Sequence, residues 1–300
     1  MRILVTGASG FIGSAVVPEL LAHGHQVTGL ARSDAAADAI SSAGALVRRG
    51  SLDDLDVLRS AAAEADAVVH LAFKHDLMYA GDFAGAIEAD RIAIETLGAA
   101  IGGDDPAFVI AAGLAGLAVG RPAVEDDVPP PDGPAAARHA NAAAALALAD
   151  RGVRSSVVRL APTVHGAGDG GFVATYAQIA RDRGFAGYVG DGANRWAAVH
   201  RTDAAVLFRL ATEKARGGSV LHGAAEEGIS IRELAEVLSA RMDLPVRSVP
   251  PEDAAEHFGW FAGFIALDAA ATSTATQESL GWVPSGPTLL QDVEAGHYDR

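Results

Sequence analysis

Apolar positions along the first half of the chain fall into two alternating patterns. Short runs rich in β-branched residues predict strands at Arg2–Thr6, Gln26–Leu30, Ala45–Val47, Ala67–Leu71, Phe108–Ala111 and Ser155–Leu160. Between them, amphipathic stretches predict helices at Phe11–His23, Ala35–Ser42, Leu52–Ala62, Phe83–Ile101 and Ala135–Arg151. This β-α-β-α order implies a parallel sheet covered on both faces, and six strands joined by helical crossovers make a Rossmann-type, doubly wound α/β fold.

After Leu160 the rhythm changes. Glycine-rich segments at Gly166–Gly171 and Gly187–Gly192 separate short elements, and further helical stretches follow near Asp203–Glu213 and Ile231–Arg241. The expected division is therefore a dinucleotide-binding domain over residues 1–161 and a smaller substrate-binding lobe over 162–300, with some later segments returning to the first sheet. The acidic, proline-rich Glu125–Pro134 reads as a surface loop rather than a linker.

Composition narrows the function classes. Half of the 300 residues are hydrophobic and a fifth are charged, as in a compact globular chain. The net charge of −15 disfavours nucleic acid and anionic lipid as partners and leaves a small phosphorylated molecule possible. The absence of cysteine excludes disulfides, thiolate metal sites and a cysteine nucleophile. The first apolar run lacks a basic leader and a cleavage site, and no window reaches the roughly 18 uninterrupted apolar residues of a membrane span. A cytoplasmic protein with no resident metal is expected.

The candidate chemistry begins at Thr6-Gly7-Ala8-Ser9-Gly10-Phe11-Ile12-Gly13, which follows a predicted strand and opens a predicted helix. In that context Gly7 permits a tight turn, Gly10 lets a pyrophosphate approach the backbone, and Gly13 lets helix and strand pack closely; free N–H groups at the helix start hold the phosphates. With its GxxGxxG spacing, the segment resembles that of extended and atypical short-chain dehydrogenase/reductases, the epimerase/dehydratase-like superfamily. Arg32, Gly50-Ser51-Leu52 and His70-Leu71-Ala72-Phe73 after successive strands agree with this, as do Arg159-Leu160-Ala161-Pro162 with Val164-His165-Gly166, Val199–Asp203 and Leu280-Gly281-Trp282-Val283-Pro284. The resemblance spans nearly the whole chain. It implies cofactor contacts from Thr6, Gly7, Ser9, Gly10, Phe11, Ile12, Gly13, Arg32, Ser33, Ser51, Leu52, Leu71, Ala72, Phe73, Arg138, Pro162, Val164 and His165. At the end of the second strand Arg32 can pair with a 2′-phosphate and Ser33 can donate to it, while Asp34 reads as a helix N-cap, so NADP(H) is the expected cofactor.

The same resemblance implies a Y-x-x-x-K proton donor and a serine on the fifth strand. None of the chain's four tyrosines has lysine four residues later. By pattern the tyrosine position falls on Pro134, the lysine position on Arg138 and the serine position on Ala112; only Arg138 retains a cation. Candidate substitutes for the acid are His165 first, then His75, Asp76, Tyr188 and His200. Four chemistries fit these residues: a different side-chain acid, hydride addition to an already protonated imine, ketone reduction with protonation by water, or cofactor sensing without turnover. Tyr188, Asn194-Arg195-Trp196, Phe258-Gly259-Trp260, Phe261 and Phe264 suggest a pocket for an apolar ligand, or simply core. The expected activity is NADPH-dependent reduction of a C=O or C=N group in a small, rather apolar molecule. The alternatives are a non-catalytic sensor or scaffold and a sugar-nucleotide epimerase or dehydratase, whose diphosphate Arg195 and Arg201 could meet. A homodimer through Phe83–Ile101 and Ala135–Arg151 is expected.

Overall fold

A computed structural model describes residues 1–118, 120–133 and 135–299. In the first half, β1 (Arg2–Thr6), α1 (Gly13–Ala22), β2 (Gln26–Ala31), α2 (Asp34–Ser42), β3 (Leu46–Arg49), α3 (Leu55–Ala63) and β4 (Ala67–His70) alternate as the apolar periodicity predicts. A short α4 (His75–Tyr79) and a long α5 (Phe83–Ala100) lead to β5 (Ala107–Gly113), α6 (Ala136–Leu146) and β6 (Arg154–Leu160). Local contacts explain where the boundaries differ from expectation. The Asp54 carboxylate accepts hydrogen bonds from the Ser51 amide and hydroxyl, which holds residues 51–54 in a turn and delays α3 to Leu55. The helix expected to reach Arg151 tightens into a 3₁₀ turn over Ala147–Arg151 and stops at Gly152, whose φ of 82° is left-handed.

The second half contributes β7 (Thr163–His165), α7 (Phe172–Arg183), β8 (Ala186–Val189), β9 (Arg195–His200), α8 (Arg201–Lys214) and β10 (Ser219–Gly223). These are followed by β11 (Glu226–Ser230), α9 (Ile231–Met242), β12 (Val246–Val249), α10 (Ala254–Phe258), α11 (Ala262–Ile265), α12 (Thr274–Leu280) and α13 (Leu289–Glu294). The main sheet has seven strands rather than the six expected, in the order β10-β6-β5-β4-β1-β2-β3, and every pairing in it is parallel. Smaller sheets, β11-β9-β7 and β12-β8, belong to the later chain.

Alternation along the central strands sends side chains to two separate cores. Ile3, Val5, Val69 and Val109 face α1 and α8, where Val16, Leu20, Leu207 and Phe208 meet them. Leu4, Val68, Phe108 and Ile110 face α3, α5 and α6, packing on Leu58, Leu97 and Ala145. Burial on both faces is why these strands read as continuous apolar runs. A third core, around Tyr176, Trp196, Phe258, Phe261, Leu238 and Leu289, holds the later elements together.

The seam between the later chain and the sheet is closed at the start of α8. The buried Asp203 carboxylate accepts from the amides of Ser285 (3.0 Å) and Gly286 (2.9 Å), and its carbonyl accepts from Trp282 Nε1 at 3.0 Å. Asp203→Ala strands two amides in a poorly hydrated place, so it should lower unfolding free energy by about 1–3 kcal/mol. Urea midpoints at constant m-value measure this, and an unchanged midpoint would refute the clamp.

Candidate functional site

In a doubly wound sheet a ligand binds beyond the carboxyl ends of the strands, where the strand order reverses. Here that point lies between β1 and β4, and the loop leaving β1 is Gly7–Ile12. Gly7 has φ of 69°, and a Cβ there would lie 2.8 Å from the Ala72 nitrogen. A Cβ on Gly13 would lie 2.1 Å from the Gly7 carbonyl oxygen, so no side chain fits between loop and helix. Among the described residues the only atom close to a Cβ on Gly10 is the Gly7 oxygen at 3.2 Å, which leaves room on its outer side. The amides of Phe11 and Ile12 donate to no other described residue. Such a cradle, with spare donors at the start of α1, fits a pyrophosphate.

In a doubly wound dinucleotide fold the adenosine would lie over β2 and β3. Arg32, at the end of β2, is exposed and pairs with Asp76 of α4 at 3.0 Å. Ser33, not Asp34, caps α2, its hydroxyl accepting from the Ala36 amide at 3.2 Å, whereas Asp34 pairs with Arg49. Ser51 is committed to the Asp54 turn, and Leu52 is buried in the core beside α3 rather than open to a ligand. Lys74 bonds Asp53, so two ion pairs tie the segment after β4 to the ends of β2 and β3.

On the other side, a buried polar chain links the glycine loop to α6. The Ala72 amide donates to Thr6 Oγ1 at 3.2 Å, and Thr6 Oγ1 lies 2.7 Å from His70 Nδ1. His70 Nε2 lies 3.3 Å from Asp90 Oδ1. The consistent assignment has Nε2–H donating to the carboxylate and the threonine hydroxyl donating to Nδ1. Asp90 Oδ2 accepts from Asn141 Nδ2 at 2.8 Å and from Arg138 at 3.3 Å. Burial pushes the Asp90 carboxyl up, but the hydrogen bonds from His70 and Asn141 and the positive charge of Arg138 outweigh it, leaving the pKa below its ordinary value. Arg138 also lies over the Phe73 ring, 4.1 Å from its centroid. It is thereby fixed beside the ends of β4 and β5, with Ala112 half-buried at the end of β5. Pro162 and Val164 are half-buried next to β6 and at β7. Asp90, His70 and Asn141 were not anticipated from the sequence. The available signal was an aspartate on the otherwise apolar stripe Ile87, Asp90, Ile94 and Leu97 of α5.

Several expected acids are placed elsewhere. His165 of β7 is wholly buried, its Nδ1 donating to Asp292 of α13 at 2.6 Å and its Nε2 3.7 Å from Glu226, so both ring nitrogens lie among carboxylates and away from the surface. Asp76 is engaged by Arg32 at the adenosine end. Tyr188 stands in the β8–β12 sheet under Arg232, and His200 caps α8 with Nδ1 on Thr202. His75 alone among them is beside Phe73, edge-on at 5.2 Å, and near enough to Arg138 to feel its charge. Pro134, at the tyrosine position, lies outside the described residues. The supposed aromatic pocket is largely core: Trp196, Phe258 and Phe261 are buried, Asn194 bonds the Ile265 and Leu267 carbonyls, and Arg195 pairs with Asp268. Trp260 is instead 60% exposed and Phe264 38%.

Residues 3–222 match the NAD dependent epimerase/dehydratase family. The chain belongs to that family. Two fungal relatives align over 99% of it: uncharacterized protein C2A9.02 of Schizosaccharomyces pombe, 43% identical and fully covered, and uncharacterized protein YLL056C of Saccharomyces cerevisiae, 42% identical and 99% covered. Among solved structures, UDP-glucose 4-epimerase of Thermotoga maritima with UDP-glucose is similar at TM-score 0.78 and 22% identity, over 100% of this chain and 98% of that one. A double mutant of the dTDP-glucose 4,6-dehydratase of Streptomyces venezuelae, solved with NAD, is similar at TM-score 0.77 and 22% identity, over 98% and 96%. This epimerase/dehydratase-family chain therefore has the sheet and dinucleotide fold of NAD-dependent enzymes, and no described helix is long and apolar enough to cross a membrane.

The burial of imidazoles has a consequence for pH. His139, His165, His222 and His257 are held below the ordinary 6.5, chiefly by burial. The unfolded chain protonates them below about pH 6.5 and the folded chain only at lower pH, so acidification through that window should lower stability. Burial raises Glu226 and Asp169, which opposes the loss. His165 faces Asp292, Glu226, His200 and Asp203. His165→Asn, which can still donate to Asp292, should reduce the slope of unfolding free energy between about pH 6.5 and 5; urea titrations across this range giving the wild-type slope would contradict a neutral, buried His165.

Proposed function

We propose that this protein is an NADPH-dependent reductase that delivers hydride to a carbonyl group of a small, rather apolar substrate and takes the accompanying proton from water. The observation that carries the reading is Arg138, a permanent cation held by Asp90 and Phe73 beside the strand ends where the nicotinamide half of a dinucleotide would lie. A cation at this place stabilises the negative charge that develops on a carbonyl oxygen during hydride transfer and disfavours a substrate that is already a cationic imine. Arginine does not release its proton near neutral pH, so it polarises without acting as the acid. With His165 and Asp76 engaged elsewhere, water is the proton source in this reading, and His75 is the side chain to test against it.

Cofactor preference follows from Arg32. Its partnership with Asp76 is solvent-exposed and therefore weak, so a doubly charged 2′-phosphate can displace the carboxylate. Ser33 keeps a hydroxyl proton to donate while its oxygen caps α2.

The test follows oxidation of reduced nicotinamide with ketones, aldehydes, imines, enones and nucleotide sugars, alongside binding of NADPH and NADH. Turnover of ketones or aldehydes with NADPH, and a preference moved toward NADH by at least about tenfold in Arg32→Asp, is the expected result. His75→Phe should leave the rate within about threefold. Tight NADPH binding without any turnover would support a sensor, imine-only turnover would replace the carbonyl assignment, and conversion of a nucleotide sugar would make the protein an epimerase or dehydratase.

A further inference from the structure

Resting on the dinucleotide reading of the cleft, we propose that Arg201 is a second cation of the cofactor site, closing over the pyrophosphate from the opposite side to the glycine loop. Arg201 is the first residue of α8, the helix packed beside α1. Because α8 connects β9 to β10, and β10 runs parallel to the rest of the main sheet, α8 starts at the edge where the strands end and the glycine loop lies. Its guanidinium lies 5.4 Å from the centroid of the Phe11 ring, on the loop that holds the spare amides. Its stem passes under the turn after β7, where a Cβ on Gly166 would come within 3.3 Å of Arg201 Cγ and Cδ. The side chain is thus threaded between the glycine loop and the loop that follows Pro162.

What marks Arg201 is its missing counter-charge. In a chain of net charge −15, the other half-buried arginines among the described residues have carboxylate or carbonyl partners, as Arg138, Arg154, Arg195 and Arg209 do. Arg201 has a ring contact, but no hydrogen bond or ion pair to another described residue. A half-buried guanidinium with unused donors, facing an anion cradle across an aromatic ring, is arranged for a phosphate oxygen. Phe11 restricts the side chain's freedom before the anion arrives, which lowers the ordering cost of binding.

The experiment compares wild type, Arg201→Met and Arg201→Lys by fluorescence titration with NADPH, NADH and 2′-AMP, which carries the adenosine-end phosphate without a pyrophosphate. Arg201→Met should weaken NADPH and NADH alike by about tenfold or more, leave their ratio and 2′-AMP binding unchanged, and recover in part with lysine. Thermal melting establishes that the variants fold; should methionine fail to, the lysine variant gives the same comparison with a smaller loss. Wild-type affinity for NADPH in folded Arg201→Met overturns the proposal, as does equal weakening of 2′-AMP. Unchanged cofactor affinity with a raised KM for an acidic substrate assigns the arginine to the substrate and also overturns it. If wild type itself binds neither dinucleotide, the reading of the cleft fails first.

Discussion

The carboxylate of Asp90 is taken out of water on an otherwise apolar helix face, which is tolerable only when donors surround it. His70 at the end of β4, and Arg138 and Asn141 of α6, supply those donors from two different elements. Through His70 and Thr6 the same group is coupled to the amide of Ala72 and to the entrance of the glycine loop. Both halves of the proposed cofactor site therefore depend on one buried charge. Losing it would strand a histidine, an amide and a guanidinium together, so the loss should exceed that of any single bond.

Around this chain the two layers of the main sheet provide stiffness. Strands with both faces buried cannot slip register without moving apolar side chains into the opposite core, so the strand ends are held in fixed relation. The adenosine end is different. There the contacts are exposed ion pairs, Arg32 with Asp76 and Lys74 with Asp53, which are individually weak and exchange readily with a ligand's phosphate. In the proposed function, a rigid side around Arg138 and a loosely paired side around Arg32 would admit a dinucleotide and still position its reacting end.

The later chain is more than a lobe added to a finished domain. Its strand β10 extends the main sheet and its helix α8 covers α1, while Asp203 ties the Ser285–Gly286 turn to the start of α8. Arg201 reaches the glycine loop because α8 belongs to the sheet's own cover. The buried His165–Asp292 pair binds β7 to α13 within the lobe.

Local rules were enough for much of this. Period-two and helical patterns and the glycine spacing are properties of neighbouring positions, so the doubly wound sheet and the glycine loop at its first turn were legible in the sequence. Boundaries shifted where local contacts intervened, as where the Asp54 carboxylate takes the Ser51 amide or where left-handed Gly152 ends the turn after α6. The roles of His165, Asp76 and the aromatic residues near Trp260 were not legible, because which way a side chain faces depends on elements far away along the chain. His165 finds its partner 127 residues later, Asp76 meets an arginine 44 residues earlier, and Trp196 lands in a core completed by Phe261. Neighbouring residues alone specify the sheet and the glycine loop after its first strand. Which charges face that loop depends on packing, since burial, and the donors a buried charge must recruit, exist only once distant segments have come together.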